Sequence, residues 1–210
     1  MRLQKTLAAV ALGTASFAAA GPALASGSAY TVAVGGSSAT AAHPFTAATT
    51  GAVAWSTPTL SFGCSGASVP ASPPSTVSSG AGVTDVLTVN EVSFTGCTVP
   101  LGALSVSAPT PWRFHGSSPS APGSADVVAG HVEGFSATWS NAACRFTVTG
   151  TADASFDETT QRLVIDESGL TGDLVVSGVV GCLSQFQNGQ PFDVKAYFAV
   201  SSPDGVIDLS

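Results

Sequence analysis

Alternation between apolar and polar positions is the dominant pattern along this chain. It is clearest from Phe192 to Val200, where apolar residues at even positions are separated by Asp193, Lys195 and Tyr197. A period of two over this length predicts a half-buried β-strand, because successive strand side chains point to opposite faces. Residues 144–149 repeat the pattern with Cys144 on the inner face, and 152–157 follow after a turn predicted at 149–151. Further strands are expected at 163–165 and 174–180, and upstream near 29–34, 53–55, 59–64, 85–89, 91–97, 104–108, 112–115 and 126–139. Past residue 25 no stretch carries a convincing helical period. Turn signals recur about every 8–12 residues, as in sandwiches and barrels. The expected fold is therefore all-β, an antiparallel β-sandwich or barrel.

The N-terminus breaks this pattern. Arg2 and Lys5 precede an uncharged, mostly apolar run over 6–20. That run has the length of a secretory h-region and is shorter than the roughly 20 residues a membrane-spanning helix needs. Gly21-Pro22 ends it, and Ala23-Leu24-Ala25 supplies small residues at the two positions a signal peptidase reads. Cleavage is expected after Ala25, with 18–20 as a second candidate. Residues 1–25 then form a signal peptide, and 26–210 a single secreted β domain. No Cys lies near the cut and no apolar run closes the chain, so neither a lipid anchor nor a transmembrane anchor is expected. The expected location is extracellular.

Two Pro-rich stretches punctuate the mature part, at 69–75 and 117–124. The second, rich in Ser and Pro, joins halves 26–116 and 125–210. Each half ends a late strand in Gly-Cys, at Gly96-Cys97 and Gly181-Cys182, which hints at a duplicated unit. Cys97 is out of phase with Val92 and Phe94, so Gly96 is expected to form a bulge that turns Cys97 inward.

Composition narrows the function classes. Removing 25 of the 210 residues leaves four basic side chains, Arg113, Arg145, Arg162 and Lys195, against all 13 acidic ones, and moves the formal charge from −7 to −9. Such a chain cannot neutralise a phosphate backbone, and anionic lipid headgroups repel it. Charged residues are 9% of the sequence, against about 25% in ordinary domains. Cys64, Cys97, Cys144 and Cys182 form an even set that reads as two disulfides in an exported chain. Three pairings are possible. Cys64–Cys97 with Cys144–Cys182 is favoured, because each bond then staples neighbouring strands within one half. No two Cys are close enough for a zinc pair.

The candidate chemistry is sparse. His43, His115 and His131, with abundant Ser and Asp, leave a catalytic triad open by count, but no G-x-S-x-G elbow occurs. His131-Val132-Glu133 places an imidazole and a carboxylate on one strand face as a weak metal or acid–base candidate; the bland alternative is a solvent-facing pair on an edge strand. Asp153, Asp157 and Glu158, and Asp166 with Glu167, are either weak Ca²⁺ oxygens or solvated acidic turns. Trp55, Trp112 and Trp139 are read as core pillars before a glycan platform, and Phe62, Phe94, Phe146, Phe156 and Phe198 as core. No cofactor is expected.

The run VSFTGCTVPLG at 92–102 resembles the FTGC-x-x-PLG segment of small secreted actinobacterial proteins of unknown function. Pro111-Trp112, the Cys144 strand, and Val180-Gly181-Cys182 before Asn188-Gly189 are similar to that family too. The likeness covers roughly 59–200. A fainter similarity is to secreted activators of alkane oxidation, which implies action at the cell surface near hydrophobic substrates. Neither brings catalytic residues with it. The resulting expectation is a non-enzymatic secreted protein whose partners are cell-envelope components. The alternatives are a carrier of small apolar molecules such as lipids or hydrocarbons, and a secreted hydrolase.

Overall fold

The computed structural model describes residues 28–100, 102–120 and 126–210. The expected signal peptide, with Ala23 and Ala25, lies outside the described residues. Those residues fold as antiparallel strands connected by turns, and among them no helix is long and apolar enough to cross a membrane.

Eight strands close into a barrel. They are β2 (Ala41–Thr49), β6 (Ser75–Val83), β7 (Asp85–Val89), β12 (Trp112–Gly116), β13 (Val127–Ser140), β14 (Cys144–Asp157), β15 (Arg162–Glu167) and β17 (Asp193–Ser201). Each pairs with the next in that order, and β17 returns to β2 through Phe198↔Thr49 to Ser201↔Thr46. Strands from both sides of the Ser/Pro segment thus close one barrel. Closure leaves the ring without a free edge.

Additional strands extend or cover this ring. β1 (Tyr30–Val34) and β18 (Ile207–Leu209) pair with each other, and β1 also pairs with β6. Their Val32, Ile207 and Leu209 are completely buried. At the opposite end β3 (Val53–Ser56), β4 (Ser61–Cys64), β5 (Gly66–Val69) and β8 (Ser93–Thr95) continue the wall. So do β9 (Thr98–Val99), β10 (Gly102–Ala103), β11 (Ser105–Ser107) and β16 (Leu174–Gly181). The disulfides are Cys64–Cys97 and Cys144–Cys182, the favoured pairing. Both lie at this end.

Several expectations need correction. No turn forms at 149–151; β14 runs straight through it. Gly150 lies where β14 exchanges partners, from β16 to β15. A Cβ there would stand 1.8 Å from Asp173 O, so only glycine permits the approach. Strands at 41–49 and 75–83 were not anticipated, because runs of Ala, Thr and Ser hide their period. The 91–97 strand is shorter than expected: Gly96, at φ +60°, ends β8 and delivers Cys97 to the interior between β8 and β9. In β13 the buried side switches from Val128 and Val132 to Phe135, Ala137 and Trp139. A bulge at Gly134, φ +73°, supplies the extra residue that changes the phase.

Among the described residues the interior is filled. An eight-stranded barrel is just wide enough for side chains to meet across it. Here the void among Phe45, Val69, Trp112, Phe114, Leu163 and Phe198 is about 20 Å³. That is room for about one water and far below the roughly 300 Å³ of a small-molecule site. Towards the disulfide end Trp55, Trp139, Phe146, Phe186 and Phe192 form one aromatic cluster, with all three Trp of the chain buried as pillars.

Candidate functional site

A large recess lies at the disulfide end, between the β3–β4 hairpin tip and the segment that follows β16. It is a groove of about 610 Å³. One wall is Pro58, Thr59 and Leu60, and the other runs from Ser184 to Pro191. The second wall is fixed from within. Cys182 is bonded to Cys144, and Phe186 is buried face to face with Phe146, ring centroids 4.0 Å apart. Between these anchors Cys182, Leu183 and Ser184 form a left-handed turn, with φ of 66°, 46° and 62°, closed by Gln185 N–H to Cys182 O. A run of L-residues in this conformation costs about 1–2 kcal/mol each. The turn leaves Leu183 78% exposed.

No residue lining the groove is charged. Asn188 Oδ1 accepts the Val179 N–H and Gln190 Oε1 accepts the Gln187 N–H. A backbone N–H can be met only by the amide oxygen, so neither NH₂ group is used in these two bonds. Gln185 Oε1 is buried without a partner. The groove therefore offers amide donors to oxygen acceptors, flanked by the apolar faces of Pro58, Leu60 and Pro191.

No family model, curated protein or solved structure matches the chain. The groove and the clusters below are read on their own geometry.

The structure does assemble a Ser–His–Asp relay. His43 Nε2 lies 2.9 Å from Ser79 Oγ, and His43 Nδ1 lies 2.8 Å from Asp204 Oδ2. Ser79 is not free to serve that base alone. The hydroxyl has a single proton, and Ala39 O at 2.5 Å competes with His43 Nε2 for it. A nucleophilic serine must donate to the base. Ser79 is also 2% exposed. The relay clamps the start of β2 and the β17–β18 turn against β6.

His131 and Glu133 share the outer face of β13, as their spacing implied. β13 is not an edge strand, however; β12 and β14 flank it. The registry sets His115 opposite His131 and Arg113 opposite Glu133, and brings Asp85 to His115 from β7. The two imidazoles stack, centroids 5.2 Å apart. Partial burial, then the neighbouring His115, hold the pKa of His131 below its ordinary value against the pull of Glu133 and Asp153. Spacing along the chain pairs only His131 with Glu133; the other members come from strands far away in the chain.

Two acidic residues expected in solvated turns are buried instead. Glu167 is 2% exposed and accepts the Thr171 hydroxyl and the Asp153 N–H where β14 leaves β15. Burial raises its pKa. Glu158, 6% exposed, accepts the Leu209 N–H at 2.8 Å and so ties β18 to the β14–β15 turn. Burial first, and the nearby Asp126 and Asp208, push its pKa up to about 8. The folded chain thus keeps a proton that the unfolded chain releases near pH 4.5. This contribution is complete below pH 4.5 and is lost as pH rises to about 8. Urea unfolding at pH 5 and pH 8 is expected to show a steeper loss of stability in the native chain than in Glu158→Gln. The difference is bounded by about 1.4 kcal/mol per pH unit; equal losses would contradict the assignment.

A second recess, of about 350 Å³, lies beside Trp55 and Phe62. Its charges are used internally. Lys195 Nζ donates to Asp166 at 2.6 Å, and Asp193 accepts the Leu170 N–H.

Proposed function

We propose that the protein is exported and works outside the cytoplasm, at the cell envelope or in the extracellular matrix, as a non-enzymatic binding domain. Its ligand is an uncharged, oxygen-rich chain, a neutral polysaccharide, held in the groove at the disulfide end. The observation that carries the reading is the lining of that groove: no charge, amide NH₂ groups not used by the backbone bonds of their own oxygens, and a wall locked by a disulfide and a buried Phe. Hydroxyl and ether oxygens match such donors, and sugar C–H faces match Pro58, Leu60 and Pro191.

Support for export comes from the N-terminal segment, from two disulfides, which persist in oxidising compartments, and from the resemblance to small secreted actinobacterial proteins. A carrier of lipids or hydrocarbons would need an interior far larger than the 20 Å³ void. A serine hydrolase would need Ser79 within reach of substrate, whereas it is buried with its hydroxyl on Ala39 O.

The test uses protein recovered from the medium of secreting cells, titrated calorimetrically with manno-, gluco- and arabino-oligosaccharides. Saturable binding of at least one series is expected, with amide NMR shifts confined to 57–60 and 184–191. Gln187→Ala, whose side chain holds no backbone group, is expected to weaken binding about tenfold, one hydrogen bond's worth. Recovery only from the cytoplasm would refute export. Absence of binding, or binding indifferent to Gln187→Ala, would refute the groove.

A further inference from the structure

The outer face of the wall formed by β7, β12, β13 and β14 carries side chains that neither the barrel core nor the groove uses. In register across the four strands stand Asp85, His115, His131 and Asp153. One step along, Arg113 faces Glu133. Three carboxylates against one guanidinium leave this face net negative around two imidazoles.

His115 is held at both ends. Asp85 Oδ1 lies 3.2 Å from its Nδ1, and Glu133 Oε2 lies 3.1 Å from its Nε2. The second contact is close enough for a hydrogen bond, yet Nε2 is buried without a hydrogen-bond partner. The two statements agree if the carboxylate oxygen lies off the N–H direction. The separation of 3.1 Å also falls within the span of two ligands on one ion. With metal–ligand bonds of about 2.0–2.1 Å, adjacent ligands stand roughly 2.9 Å apart in a square and roughly 3.3 Å apart in a tetrahedron.

His131 supplies the third donor. Directly opposed residues on antiparallel strands have Cβ atoms about 4.5–5.5 Å apart, so two opposed imidazoles can reach a common ion. In the structure the His131 ring lies over His115 at an interplanar angle of 21°. Among the described residues no three such donors converge as they stand; the half-buried His131 ring has to rotate about its side-chain torsions. The carboxylate of Asp85 on Nδ1 leaves Nε2 as the coordinating nitrogen, the usual arrangement of a carboxylate–histidine–metal triad.

We propose that this face binds one divalent first-row transition ion, Zn²⁺ or Cu²⁺, through His115 Nε2, a Glu133 carboxylate oxygen and His131, with Asp85 as the positioning residue for His115. Two imidazoles and one carboxylate suit either ion and leave a coordination position open. The proposal is independent of the groove.

The test is calorimetric titration of the purified mature protein with ZnCl₂ and with CuCl₂ in metal-free buffer. Saturation at one equivalent is expected. His131→Ala is expected to weaken binding at least tenfold, and Asp85→Asn, which leaves all three ligands in place, about 10–100-fold. Glu133→Gln is expected to weaken it about tenfold; this exposed side chain can be changed without touching the core, so its effect is readable even where a histidine variant folds poorly. Sub-stoichiometric Cu²⁺ is expected to broaden the imidazole NMR signals of His115 and His131 and to spare those of His43. Failure to saturate, equal broadening at His43, or an affinity unchanged by Glu133→Gln and His131→Ala would each overturn the site.

Discussion

Replacing Cys144 and Cys182 together by Ser is expected to lower the free energy of unfolding by about 4 kcal/mol, and replacing Cys64 and Cys97 by about the same amount. The bonds close loops of 38 and 33 residues. Chain-entropy arguments make the cost of opening a loop depend only weakly on its length, so near-equal effects follow. Local structure then separates the two. Cys64 lies at the end of β4, which pairs with β3 and β9 whether or not the bond exists. Cys182 begins the left-handed turn that carries one wall of the groove. Its loss removes the main tether of that wall, so the Cys144/Cys182 variant is the one expected to lose the groove as well. Single domains are stable by about 5–15 kcal/mol, so losing both bonds consumes most of what such a fold has. Equilibrium urea unfolding with and without reductant, followed by Trp fluorescence, reads the effect. A midpoint insensitive to reductant would contradict it.

Trp139→Ala is expected to cost about 3–5 kcal/mol, the range for deleting a large aromatic side chain from a core. Trp139 is completely buried. It lies parallel to Phe146 at 5.2 Å and 6°, meets Trp55 edge-on at 5.2 Å and 82°, and touches Phe192 at 5.5 Å. Strands β3, β13 and β14 and the start of β17 meet through this one ring, so the hole cannot be closed by moving a single element. The indole N–H has no hydrogen-bond partner. Trp139→Phe therefore loses only volume, and its cost is expected to be well under half that of the alanine change. Thermal and urea unfolding of the two variants make the comparison. A loss below about 1 kcal/mol for Trp139→Ala would mean that the cluster is not the keystone of the disulfide end.

Strong periodic segments were the legible part of the fold. Phe192 to Val200, Cys144 to Thr149 and Ala152 to Asp157 alternate apolar with polar residues, and a one-residue slip would expose their apolar side chains. Their burial follows the sequence parity throughout. The segments 41–49 and 75–83 were illegible because Ala, Thr and Ser are small enough for either face. They become strands because the barrel needs β2 and β6 to close. The change of face at Gly134 leaves a trace in the parity of Val128, Val132, Phe135 and Trp139, although a single glycine does not say which side it serves. Glu158 and Glu167 read as surface residues from their letters. Each is buried because it meets a backbone N–H left over where a strand ends or changes partner.

The candidate sites divide in the same way. His131 and Glu133 were recognisable as neighbours because alternate residues of a strand share a face. His115 and Asp85 joined them only through the pairing of β7, β12 and β13. The groove left no signal at all. Its residues are unremarkable turn residues until Cys144–Cys182 and Phe186 fix where they stand. By itself the sequence determined the strand class, the inward faces of the long strands and the four cysteines' commitment to two bonds, all of which depend on local periodicity and residue chemistry. The closed ring, the filled interior, the buried relay at Ser79 and the histidine face were decided by tertiary structure, because each depends on which distant strands lie side by side, and the local period of a strand carries no record of its neighbour.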